Sequence, residues 1–382
     1  MFHKMANPYK NTGETDLKRR TPMGHDPQRE AAGNDFPADG VEAEAEMTAK
    51  KKGWFILFLM APLACIFFSL CIGRYPLRLN VVAQVLWSKC TFGHYSGPDV
   101  YQNIIWDIRL PRALMGAMVG GCLAVSGAAF QGLFKNPLVS SGILGVSSGA
   151  GFGAALAILL FGSLSVTYPF ALVFGILAVI LSYLISRVYK TSPAIMLVLG
   201  GVIVSSVFSA LISFAKYVAD PYEQLPTIVF WLMGSLASAR YEDVFIAGIP
   251  MAIGAAGLIG IRWRINVLSM GDKEAHALGI NTGLTKGFVI FCATLATAGA
   301  VCVSGVIGWV GLVIPHIGRM LVGNDNNVLV PASLSLGACF LILVDNLARM
   351  LTGSEIPLGI LTALVGGPFF VFLLKKTKGG GW

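Results

Sequence analysis

Residues 109–138 read RLPRALMGAMVGGCLAVSGAAFQGLFKNPL, and no charge falls between Arg112 and Lys135. At ~1.5 Å per residue, one helix built from this run crosses ~30 Å of hydrocarbon. Two arginines stand at its head with Pro111 between them. A proline fits the first turn of a helix, where its missing N–H costs nothing. The run therefore reads as a membrane span that begins beside two guanidinium groups.

The rest of the chain agrees. Of 382 residues, 55% are hydrophobic and only 13% are charged, with a mean hydropathy of +0.71. Soluble domains carry about 25% charged residues. The 45 glycines fit as well, because small residues let membrane helices approach closely. Apolar segments at 54–72, 110–131, 142–162, 168–187, 194–215, 243–261, 286–305, 308–321, 329–351 and 356–374 predict an all-α polytopic membrane protein with ten transmembrane helices. The segment 308–321 is short and holds Gly311 and Pro315, so a bend shielded by neighbours is expected there. Residues 224–236 are apolar but too short to span.

Net charge is +8, unevenly spread. Residues 1–53 hold nine basic and nine acidic groups, rich in Pro, Gly and Ala, and read as a disordered cytoplasmic extension before a domain over 54–378. Lys50–Lys52 directly precede the first span and are assigned to the cytoplasm. Ten crossings then make both termini cytoplasmic, with fourteen basic residues inside and eight outside. Arg109 and Arg112 fall on the outer side, against that bias. The seven cysteines show no CxxC spacing and read as small interior residues.

No motif for covalent chemistry is found. GxxxxGK[ST] and HExxH are absent, and Gly149–Gly153 (GAGFG) sits inside an apolar segment, where it reads as a packing feature. His94, His276 and His316 are isolated and read as structural, so no metal site is expected. Asp345 and Arg349 are spaced i,i+4, which suits an intrahelical pair. Ser205, Ser209 and Ser213 form a stripe on the fifth segment, readable as helix packing or as a mildly polar pathway wall. The polar connection RWRINVLSMGDKEAHALGINTGLTK (262–286) is the longest inside loop. It holds a short amphipathic piece, Asp272 to Leu278, with small residues at Gly271, Ala275 and Gly279. Such a small-residue face can seat in a groove on another protein, and an ordinary solvated loop is the competing reading.

Several motifs recur in order: RLPR at 109–112, QGLFKNPL at 131–138, GILGVSSGAG at 142–151 and MGDKEAHALGI at 270–280. GVIGWVGLVIPHIGRMLVG at 305–323, DNLAR at 345–349 and IPLGILTALVGGPFF at 356–370 complete the series. By these the chain resembles the FecCD-type permeases of type II ABC importers, which serve iron–siderophore, haem and vitamin B12 uptake. The resemblance covers 54–378 and leaves the N-terminal extension without a counterpart. It implies a ten-helix permease, a homodimer with the pathway at its two-fold axis, and an external substrate-binding protein. It also implies two cytoplasmic ATP-binding subunits that carry ATP and Mg, so this chain binds no cofactor and is no enzyme. The expected location is the cell (inner) membrane.

The resemblance further assigns Arg109, Arg112 and Arg349 to docking of the binding protein, against the alternative that they snorkel to lipid headgroups. It makes Gly271, Asp272, Glu274, Ala275, Leu278 and Gly279 the loop that couples to the ATPases. Among cargoes an iron–siderophore ranks first, followed by cobalamin, haem and molybdate. A secondary carrier driven by an ion gradient is the alternative from another class, disfavoured because no convincing set of acidic or histidine groups sits at mid-membrane.

Overall fold

The structure is a computed structural model that describes residues 38–91, 93, 95, 97–187 and 194–376. Two compact units divide the chain, Met1–Gly53 and Trp54–Trp382. In the first, only residues 38–53 are described, and they are helical where a disordered segment was expected. The remainder of that expected extension, with His94, lies outside the described residues.

Fifteen α-helices occur among the described residues, and no β-strand. They are α1 (Ala38–Cys71), α2 (Leu79–Cys90), α3 (Asp99–Asn103), α4 (Leu110–Phe134) and α5 (Val146–Phe161). Then come α6 (Leu164–Ser186), α7 (Ala194–Val218), α8 (Gln224–Met233), α9 (Tyr241–Gly260) and α10 (Arg262–Met270). The last are α11 (Asp272–Ala277), α12 (Thr282–Ser304), α13 (Val310–Val322), α14 (Asn326–Leu351) and α15 (Leu358–Lys376). A π-helical turn, Ile104–Arg109, leads directly into α4.

The uncharged run beyond Arg112 becomes the centre of the helical unit. A helix apolar on all sides is buried either in protein or in a membrane; for α4 the cover is this chain's own protein, since 83% of its span window is buried, against 28% for α7. Helix α4 packs on α9, α12, α13 and α14. Its small residues are the reason it can. A Cβ on Gly120 would run into the carbonyl of Gly337 on α14, and one on Gly127 into the carbonyl of Gly311 on α13. Helices α5, α6 and α7 pack on one another, and α12 joins them to α4 and α9.

Among the described residues, six helices are long and apolar enough to cross a membrane. The expected spans at 54–72 and 356–374 fall on α1 and α15, whereas those at 142–162 and 308–321 coincide with shorter apolar helices, Val146–Phe161 and Val310–Val322. The shortening has local causes. Gly145 (φ +89°) and Gly162 (φ +61°) take left-handed conformations that bound α5. Residues 305–309 are not helical and separate α12 from α13. Their backbone groups find partners nearby, as non-helical backbone at membrane depth requires. Gly305 N donates to Val301 O at 2.9 Å, and Trp309 O accepts from Val313 N at 2.8 Å; beside the break, Ser235 N donates to Ser304 O and Leu358 N to Gly234 O, each at 2.9 Å. The end of α8, the 305–309 break and the start of α15 thus form one junction.

Candidate functional site

The arginine at the head of α4 is held from two sides. Arg112 Nε donates to both carboxylate oxygens of Asp345, at 3.1 and 3.0 Å, and Nη2 donates to Asp345 Oδ1 at 2.8 Å. Its far edge meets Glu355 through two parallel bonds, Nη1 to Oε1 and Nη2 to Oε2, each 2.9 Å. Such fork-to-fork pairing is open to arginine and closed to lysine. Asp345 also lies 3.3 Å from Arg349 Nε, four residues along α14. The intrahelical pair expected from the spacing is present, but Arg112 is the closer partner.

Arg349 in turn donates to Ser69 Oγ at 2.9 Å and to Asn346 Oδ1, and Ser69 Oγ donates to the same Asn346 oxygen at 2.8 Å. Arg109 completes the group differently. Its Nη1 donates to Leu70 O at 2.7 Å and its Nη2 to Tyr75 O at 2.5 Å. Leu70 O belongs to the last turn of α1, where carbonyls lack helical partners and favour a cation. Gly73 leaves room for this contact, since a Cβ there would lie 2.8 Å from Arg109 Nη2. Three guanidinium groups and two carboxylates thereby tie α1, α4, α14 and the 352–357 connection together.

Sequence reading expected Arg109, Arg112 and Arg349 to be presented outward to a partner or to lipid headgroups. They are instead 5%, 6% and 8% exposed and are engaged within the chain. Glu355, which no motif singled out, is the most exposed carboxylate of the cluster: its side chain is 29% exposed, against 3% for Asp345. Burial by itself would raise the Glu355 pKa. The hydrogen bonds and charge of Arg112, with the charges of Arg349 and Arg74, outweigh it and hold the carboxyl below its ordinary value. One signal was present, because Glu355 is the last acidic residue of the chain.

The polar connection folds as α10 and α11. Its small residues do not make one outward face. Gly271 and Ala275 are buried within the chain, while Asp272, Glu274, Leu278 and Gly279 are exposed. Glu274 folds back over Gly271, so a Cβ at 271 would collide with its carboxylate. Gly279 (φ +76°) closes α11, with Gly279 N donating to His276 O and Ile280 N to Ala275 O, each at 3.0 Å. Lys286 on α12 reaches Asp272 at 2.6 Å. The surface left open is mixed, with charged side chains beside the exposed apolar Trp263, Met270, Leu278 and Leu284.

On α7, Ser209 and Ser213 are exposed and Ser205 is half-buried beside Gly145. Ser213 Oγ donates to Ser209 O at 3.0 Å, satisfying itself on its own helix. Around these serines Val202, Val207, Phe214 and Tyr217 are exposed, an apolar surface with a narrow polar seam.

Known proteins share this architecture. Residues 59–376 match the FecCD transport family. The molybdate import system permease protein of Haemophilus influenzae is 44% identical over 313 residues, which cover 82% of this chain and 92% of that protein. The cobalamin import system permease protein of Halobacterium salinarum is 40% identical over 282 residues, covering 74% and 76%. A solved ABC transporter of metal-chelate type in an inward-facing conformation superposes with a TM-score of 0.76 at 41% identity, covering 85% of this chain and 99% of the other. Permeases of this kind work with ATPase subunits and substrate-binding proteins. With the match running through almost the whole helical unit, this chain belongs to the FecCD transport family, the non-catalytic membrane permeases of ABC importers for metal-chelate-type substrates.

Proposed function

We propose that this chain is the transmembrane subunit of an ATP-driven importer, working as a homodimer in the inner membrane with both termini cytoplasmic. Two ATP-binding subunits engage the exposed face of α11, and an external binding protein delivers cargo near the Arg112 cluster. The observation that carries the reading is the placement of the two polar features. Helix α4, uncharged beyond Arg112, has the buried arginine cluster at its first turn, and the α10–α11 segment packs at the other end of the same helix, where Gly132 meets Ile265. Residues 1–53 are assigned to the cytoplasm with Lys50–Lys52.

The cargo ranking changes. An oxyanion of the molybdate type takes first place, supported by the 44% identical Haemophilus influenzae permease, and an iron–siderophore drops level with cobalamin and haem. Reconstitution of the permease with its ATPase subunits and binding protein into liposomes tests both levels of the reading. Radiolabelled molybdate should accumulate only with ATP, and a ferric siderophore should not compete. Uptake driven by an ion gradient without ATP would overturn the importer reading. ATP-driven uptake of the iron chelate in preference to molybdate would overturn the cargo.

A further inference from the structure

Arg112 has no free edge. Asp345 fills one side and Glu355 the other, each through two or more hydrogen bonds. A carboxylate arriving from outside the chain can pair with this guanidinium only by taking the place of one of them. Asp345 is buried on α14, whereas Glu355 sits on a six-residue connection, 352–357, that is lightly held. Thr352, Gly353 and Ser354 are exposed, a Cβ on Gly353 would meet nothing within 4 Å, and the backbone tie Ile356 N to Ala348 O is long at 3.4 Å.

Beyond the connection, the start of α15 is tightly seated. Leu358 N donates to Gly234 O, and a Cβ on Gly359 would press on the carbonyls of Met233 (2.6 Å) and Val306 (3.1 Å). The Arg112–Glu355 contact therefore stands between the charge cluster and the junction of α8, α15 and the 305–309 break.

We propose that Glu355 is an internal stand-in for a partner's carboxylate: it occupies the outer edge of Arg112 in the resting chain, and an acidic side chain of the docking binding protein replaces it. The proposal rests on the importer reading above and adds to it the residue that gives way. The exchange keeps Arg112 paired throughout, which matters because a buried charge left alone is strongly unfavourable. The displaced Glu355 is the partly exposed member, so it returns to water easily. Its release loosens the 352–357 connection and with it the entry to α15, so that docking is felt at the junction.

Two measurements on the full-length chain test this. In a background lacking the native cysteines, a spin label at Gly353→Cys in lipid nanodiscs reports the mobility of the connection. Glu355→Gln should mobilise it and Glu355→Asp should do so less; equal mobility in all three would overturn the latch. The importer's own fluorescently labelled binding protein is then titrated onto the assembled complex. Glu355→Gln removes the internal competitor and should tighten docking by about 5-fold or more, the lower end of ordinary coupling between sites. Unchanged or weaker docking would overturn the stand-in while leaving the importer reading intact. A wild-type complex that docks no binding protein would overturn the importer reading, and this proposal with it.

Discussion

Arg112 makes more hydrogen bonds than any other side chain in the cluster. Removing one member of a buried, hydrogen-bonded ion pair leaves the other uncompensated, typically at ~3–5 kcal/mol. Arg112→Ala and Asp345→Ala should each lower the thermal unfolding temperature of the detergent-solubilised chain by a correspondingly large step. Arg112→Lys should fall between wild type and alanine, since an ammonium group cannot hold both carboxylates in parallel pairs. The pH dependence of Glu355 follows from its depressed pKa. Its contribution is complete above the ordinary glutamate value of ~4.3 and is lost as pH falls through the lower folded value. The stability difference between wild type and Glu355→Gln should thus be constant from neutral to mildly acid pH and should shrink only under stronger acid. A difference that vanished near pH 6 would rule out the Arg112 contact as its source. The arginines themselves were legible, because charged groups beside an uncharged run are conspicuous. Their partners were not, because Asp345 and Glu355 lie 233 and 243 residues away, and one sequence carries no record of which distant charges meet.

Among the helices, position along the chain was easier to read than length or facing. All ten apolar segments correspond to helices, yet glycine-bounded ends shorten α5 and the 305–309 break shortens α13, to 16 and 13 residues. The spacing of Gly271, Ala275 and Gly279 suggested one docking face. The chain uses Gly271 and Ala275 for its own packing instead, because hydrophobic periodicity does not say which neighbour a small residue serves. A bulky residue at Ala275 is therefore expected to disturb this chain's fold, not merely a partner's groove. Close helix approach gives a sharper test. Gly120→Val should prevent α4 and α14 from closing, an overpacking cost of ~1–3 kcal/mol or more, seen as loss of the monodisperse peak in size-exclusion chromatography. Gly287→Ala, where a Cβ meets nothing within 4 Å, should elute as wild type. The tryptophan that opens α13 is under tighter constraint. Trp309 adopts φ +68°, and a Cβ on Gly366 of α15 would lie 2.7 Å from its Cβ.

For the whole molecule, the apolar surface of α7 with its serine seam is left uncovered by this chain. In the homodimer reading, Ser209→Cys and Ser213→Cys in a cysteine-free background should react with water-soluble thiol reagents, and the rate should change when ATP is trapped on the ATPases. Protection in every state would place the seam against lipid or another helix.

The buried cluster also sets a timetable for biogenesis. Arg112 leaves the ribosome 233 residues ahead of Asp345, an interval of roughly 10–50 s at ordinary rates of synthesis. Throughout that interval the guanidinium at the head of α4 has neither of its carboxylates. The helix at the centre of the fold therefore reaches its final seat only after α14 has been made, and a nascent chain stalled in between carries an unmatched charge by which proteases can tell it from a finished one.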